Sequence, residues 1–70
     1  MALVKEFVNS AVSIRTRMFM YLRDKQISLL RGSELLDIYY YTFRNFMMER
    51  TTPRYTTLHK IDEFLKKNGY

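Results

Sequence analysis

The chain of 70 residues contains no cysteine. That removes any disulfide framework and any thiolate metal site, and with them the small secreted folds that depend on staples. Long apolar runs are missing as well, the longest falling far below the ~20 residues a membrane span needs. The N-terminus does not read as a signal peptide, because Lys5 and Glu6 interrupt the apolar Met1 to Val4 and no small-residue cleavage site follows. There is one histidine, His59, with no cysteine or second histidine to join it, which argues against a bound metal. Catalytic pairings are absent too. No nucleophile–base pair or glycine-rich phosphate loop occurs, and Asp62 and Glu63, adjacent on a helix, point apart. No enzyme and no cofactor are expected. A hydrophobic share of 47% excludes a disordered chain. The expectation is one small cytoplasmic domain over residues 1–70. A domain of this length buries only about 60% of its unfolded surface, so it relies on good packing or on association.

What the chain does have is positive charge, a formal net +5. It is unevenly placed. Residues 1–12 hold Lys5 and Glu6, and residues 61–70 hold Lys66 and Lys67 against Asp62 and Glu63, so both ends are neutral. The stretch 13–60 carries nine cations, seven of them arginine, against Asp24, Glu34, Asp37 and Glu49, which is the whole excess. Arginine meets phosphate with a bidentate fork that lysine lacks. Two readings stand side by side: a solvated basic face, or the footprint of a polyanion.

Helical periodicity dominates, and an all-α domain of four or five helices is expected. Leu3, Val4, Phe7, Val8, Ala11 and Val12 recur at three and four, and Ile14, Met18, Tyr21 and Leu22 continue the pattern to about Arg23. Asn9, Ser10 and Ser13 lie between the two blocks, so this is one long helix or two with a bend. Ser28 or Ser33 caps the next helix. Leu35, Leu36, Ile38, Phe43, Phe46 and Met47 supply later apolar positions, and Asp37 breaks the stripe where a tight turn would fall. The alternative is a single helix from Glu34 to Glu49 in a plain helical bundle. Thr51–Thr52–Pro53 reads as a loop, since proline disfavours helix at the residue before it. Leu58, Ile61, Phe64 and Leu65 give a last helix, with Lys66 and Lys67 suited to its final turn and Gly69 to the position beyond.

Thr42–Phe43, Phe46, Pro53, Thr57–Leu58, Lys60–Ile61 and Leu65 keep a particular spacing without a gap. The stretch from Lys25 to Leu65 resembles the lambda-repressor-like helix-turn-helix family, the Cro/repressor or XRE group. In that family a Ser/Thr–Leu pair opens the recognition helix and an Ile follows. A basic loop then leads to Pro, Thr–Leu, Lys–Ile and Leu. Upstream, Ile27–Ser28 resembles the pair that opens the first motif helix, and Leu36 and Ile38 take later core positions. The departures are Leu29 for Gln, Gly32 for a core Leu, Ser33 for Ala, Asp37 for Gly and Tyr39 for Ser. Residues 13–68 would form the helix-turn-helix core and residues 1–12 an amphipathic extension.

The resemblance implies a sequence-specific regulator of double-stranded DNA, of the size that phages and mobile elements encode, acting as a dimer on a two-fold site. Tyr40, Tyr41, Thr42, Arg44, Asn45 and Met48 would be the exposed positions of the recognition helix. Arg44 suits a bidentate contact with guanine and Asn45 one with adenine. Tyr40 and Tyr41 suit phosphate or a thymine methyl group, whereas Tyr39 is expected to pack. Arg31, Arg50, Arg54, Tyr55 and Lys60 are the candidate phosphate contacts, which set register without reading sequence. The plainer reading makes the tyrosines an amphipathic cover over a core and the polar residues ordinary solvated surface.

A different class of function is also open: a helical protein-interaction module, an inhibitor or adaptor, using Tyr39–Tyr40–Tyr41 and the methionines, which suit an adaptable contact surface. Met18 and Met47 are expected in the core instead. Binding of single strands through tyrosine stacking is a third option. Residues 1–12 either pack on the domain or form a dimer surface, and their single cation besides the terminus argues against a membrane-surface helix.

Overall fold

The computed structural model describes the backbone of residues 2–70 and the side chains of residues 10–70. Among these residues there are four helices and no strand: α1 (Ala2–Lys25), α2 (Leu29–Leu36), α3 (Tyr40–Met47) and α4 (Tyr55–Lys67). The apolar spacing across Asn9, Ser10 and Ser13 resolves as one helix, α1, with Ala11 and Ile14 both in the core. The expected stripe of Leu3, Val4, Phe7 and Val8 lies outside the described side chains. At ~1.5 Å per residue a 24-residue helix is ~36 Å long, which accounts for the longest dimension of the molecule, 38 Å.

All four helices end in the same way. The N–H groups of Ile27, Ile38, Arg50 and Tyr70 bond back to the carbonyls of Leu22 (2.9 Å), Ser33 (3.0 Å), Asn45 (2.9 Å) and Leu65 (2.8 Å). The residue before each donor is left-handed: Gln26 (φ 55°), Asp37 (φ 55°), Glu49 (φ 63°) and Gly69 (φ 80°). This is the Schellman arrangement, which satisfies carbonyls that the helix leaves open. Only the last of the four uses glycine.

Between α2 and α3 the chain turns through Asp37, Ile38 and Tyr39. The left-handed Asp37 and the Ile38-to-Ser33 bond stop α2, so the single helix from Glu34 to Glu49 is ruled out. Ser28 caps α2, its Oγ accepting from the Arg31 N–H at 3.1 Å. Ser33, the other candidate cap, is buried and donates its hydroxyl to the Leu30 carbonyl at 2.7 Å. The result is an all-α helix-turn-helix arrangement.

Helix α1 packs chiefly on α4, and α2 on α3. Ile14, Met18, Tyr21 and Leu22 of α1 meet Leu58, Ile61 and Leu65 of α4, with Leu36, Phe43 and Phe46 closing the core from the other pair. Arginine side chains tie the layers. Arg15 donates from Nε to the Phe46 carbonyl at 2.8 Å and lies over the Phe46 ring, 5.0 Å from its centroid. Arg17 donates to Asp62 at 2.7 Å and to the Tyr70 carbonyl at 2.8 Å. Tyr70 is held further by its hydroxyl, which donates to Asp24 at 2.8 Å, and by the edge of Tyr21 at 5.4 Å. Among the described residues, no helix is long and apolar enough to cross a membrane.

Candidate nucleic-acid interface

Helix α3 turns Phe43 and Phe46 fully into the core. Its opposite side carries Tyr41, 56% exposed, with Arg44 and Asn45 half-buried on either flank. The 3.6-residue period places these residues together: Tyr41, Arg44, Asn45 and Met48 follow at three and four. The Arg44 and Asn45 side chains make no hydrogen bond or ion pair among the described residues. Tyr40 and Thr42 are half-buried at the edges of this face.

The tyrosines form one cluster at the start of α3, with the Tyr41 ring 5.7 Å from Tyr39 and 5.3 Å from Tyr40. Tyr39 does not pack as expected. It is 70% exposed, because it is the N-cap residue of α3 and leaves the turn toward solvent. Its phenol makes no capping bond to the helix.

The candidate phosphate contacts divide into two groups. Arg31 on α2, Arg50 in the loop after α3, and Arg54 at the N-cap of α4 are exposed, and their guanidinium groups have no partner among the described residues. Lys60 is already engaged, donating from Nζ to the Asp37 carbonyl at 2.9 Å and so pinning the turn to α4. Lys60 and Thr42 line one open hollow with Asp37, Ile38, Tyr39 and Thr57. Tyr55 is exposed and stacks on His59, centroids 6.0 Å apart at 15°. His59 also reaches Glu63, 3.9 Å away. No group of three or more His, Asp or Glu able to hold a metal ion occurs among the described residues.

The central charge is thus less uniform than the sequence suggests. Arg15 and Arg17 are engaged inside the fold, by Phe46 and Glu49 and by Asp62 and Tyr70. Asp62 feels burial, which raises its pKa, but hydrogen bonds from Arg17 and Lys66 and their charges outweigh this and hold it below its usual value. The unpaired arginines that remain are those on and around α2, α3 and the loop between α3 and α4. No family model matches the chain, and no curated protein and no solved structure matches it.

Proposed function

We propose that the chain is a small sequence-specific regulator that binds double-stranded DNA through α3, in the manner of the Cro/repressor group. The observation that carries this reading is the three-residue turn Asp37–Tyr39, after which α3 stands with Tyr41, Arg44 and Asn45 facing away from the core. An α-helix fits the major groove, and side chains on its N-terminal half reach base edges. Arg44 reads guanine and Asn45 adenine in this scheme, with Tyr40, Tyr41 and Thr42 beside them. Arg31, Arg50 and Arg54 contact phosphate, and two copies bind a two-fold operator.

Selection of duplexes from a random pool, followed by a salt titration of the winner, tests this reading. Binding that weakens steeply with salt, and loses sequence preference in Arg44→Ala and Asn45→Ala, is the expected result. No enrichment, or binding indifferent to salt and to both substitutions, overturns it. A second reading, a protein-interaction module, has the exposed tyrosine cluster of Tyr39 and Tyr41 in its favour. Capture of a stoichiometric protein at high salt, with no nucleic acid, would favour it instead.

A further inference from the structure

Beside its core stripe of Met18 and Leu22, helix α1 carries a second, outward one. Thr16, Phe19, Met20 and Arg23 are exposed and follow one another at three and four residues, so they share one face about 10 Å long. Two open hollows meet along it, and Phe19, Arg23 and Met47 border both. One, of about 300 Å³, has walls of Leu22, Ile27, Leu29 and Met48. The other, of about 460 Å³, lies between Thr16, Met20 and the Arg15–Glu49 pair. An apolar cavity of about 150 Å³ holds benzene, so each hollow has room for an inserted leucine or phenylalanine side chain.

We propose that this groove docks an acidic amphipathic helix of a different protein, whose apolar stripe enters the hollows and whose carboxylate meets Arg23. Charge decides the occupant. Arg15, the other cation of the groove, is 16% exposed and is offset by Glu49 at 3.6 Å. Arg23 is 66% exposed, and Asp24, which lines neither hollow, reaches only its Nε and Nη2, at 3.4 and 3.3 Å. Such an exposed pair contributes little, and Asp24 also accepts from the Tyr70 hydroxyl at 2.8 Å. A carboxylate arriving at the groove therefore finds guanidinium donors for a charge-assisted pair. A second copy is a poor occupant, because a two-fold contact would bring together two Arg23 side chains on molecules of +5 each. A bilayer surface fits no better, since hollows take side chains that project into them. An amphipathic helix supplies such anchors at the spacing that the α1 stripe itself shows. Met20, Met47 and Met48 add flexible thioether side chains that adapt to a facing surface. Tyr40, Tyr41, Arg44 and Asn45 line neither hollow, so the docking site rests on neither reading of the α3 face.

A random library of displayed peptides about four helical turns long, selected on the full chain, tests the site. The winners are expected to carry apolar residues at helical spacing with Asp or Glu beside them. Arg23→Glu and Phe19→Ser each weaken a labelled winner by at least about tenfold in fluorescence anisotropy, at unchanged helical circular dichroism. Exchanging the acid of that peptide for lysine restores its binding to Arg23→Glu and abolishes it for the parent. Lys67→Glu makes the same change in net charge at an exposed residue that lines neither hollow, and leaves the affinity within about twofold. No enrichment, or winners indifferent to acid, overturns the proposal. So do winners that respond to Tyr39→Ala and Tyr41→Ala but not to Arg23→Glu and Phe19→Ser. A chain that doubles its mass through this face without peptide, or that binds phosphatidylglycerol vesicles through it in place of any peptide, overturns it too.

Discussion

Phe43 fills the space in front of Gly32. A Cβ added to Gly32 would stand 3.3 Å from Phe43 Cε2 and 2.9 Å from Leu22 Cδ2. Across the α2–α3 contact the bulk thus belongs to α3, and Gly32 of α2 leaves the room that Phe43 takes.

This division of volume is testable by a double-mutant cycle. Gly32→Ala gains about 1 kcal/mol of helix propensity but overpacks a filled core, which costs ~1–3 kcal/mol, so a net loss of about 1 kcal/mol is expected. Gly32→Leu should cost about 3 kcal/mol alone. Combined with Phe43→Leu it should recover most of that loss, with a coupling of at least ~1 kcal/mol in urea unfolding. Additive losses would mean that the two side chains do not compete for one space.

The shared helix ending leads to a second expectation. Gln26, Asp37 and Glu49 hold left-handed backbone, which costs an L side chain roughly 1–2 kcal/mol and glycine nothing comparable. Part of the gain from glycine is offset by the freer unfolded chain. Gln26→Gly, Asp37→Gly and Glu49→Gly should each stabilise by about 0.5 kcal/mol, read as a rise of a few degrees in Tm. Gly69→Ala, at φ 80°, should shift Tm the other way.

These endings also mark how much of the fold can be read from the residues. The break at Asp37 and the stop at Gly69 are announced by residue types that tolerate positive φ. Gln26 and Glu49 carry no such signal. The placement of Ile27 and of the loop after α3 by the rest of the fold forces their conformation. The outward face of α3 follows from periodicity alone once Phe43 and Phe46 are taken as core. The fate of the charge does not. Arg15 and Arg17 look like their neighbours in sequence, and only the packing of α1 against Phe46 and α4 turns them into internal ties.

Acid should find the Arg17–Asp62 tie. Asp62 has a folded pKa below the 3.8 of the free side chain, so its contribution to stability is fully present above that value. It declines as pH falls through the lower folded value, where the carboxyl takes up a proton. Asp62→Asn should therefore cost about 1–2 kcal/mol at neutral pH, the worth of hydrogen bonds to a charged group. The gap between variant and parent should close on acidification below about pH 4, measured by denaturant midpoints along a pH series. A constant gap down to acid pH would assign the loss to packing and not to charge.

The last expectation separates arginines that hold the fold from arginines free to meet a polyanion. Arg31, Arg50 and Arg54 are exposed and unpaired among the described residues, so replacing any of them by alanine should change stability by less than about 0.5 kcal/mol. Each should lower the slope of log affinity against log salt by roughly one, as expected when one fewer phosphate is neutralised. Arg15→Ala and Arg17→Ala remove bonds of 2.8 Å to the Phe46 carbonyl and 2.7 Å to Asp62, and should destabilise by about 1–3 kcal/mol. At a temperature where those two variants remain folded, their salt slope should match that of the parent. Arg44→Ala should act differently again, costing ~1–3 kcal/mol of discrimination at one base pair. If Arg15→Ala lowered the slope as much as Arg31→Ala, the polyanion would be reading the whole basic chain and not the face around α3.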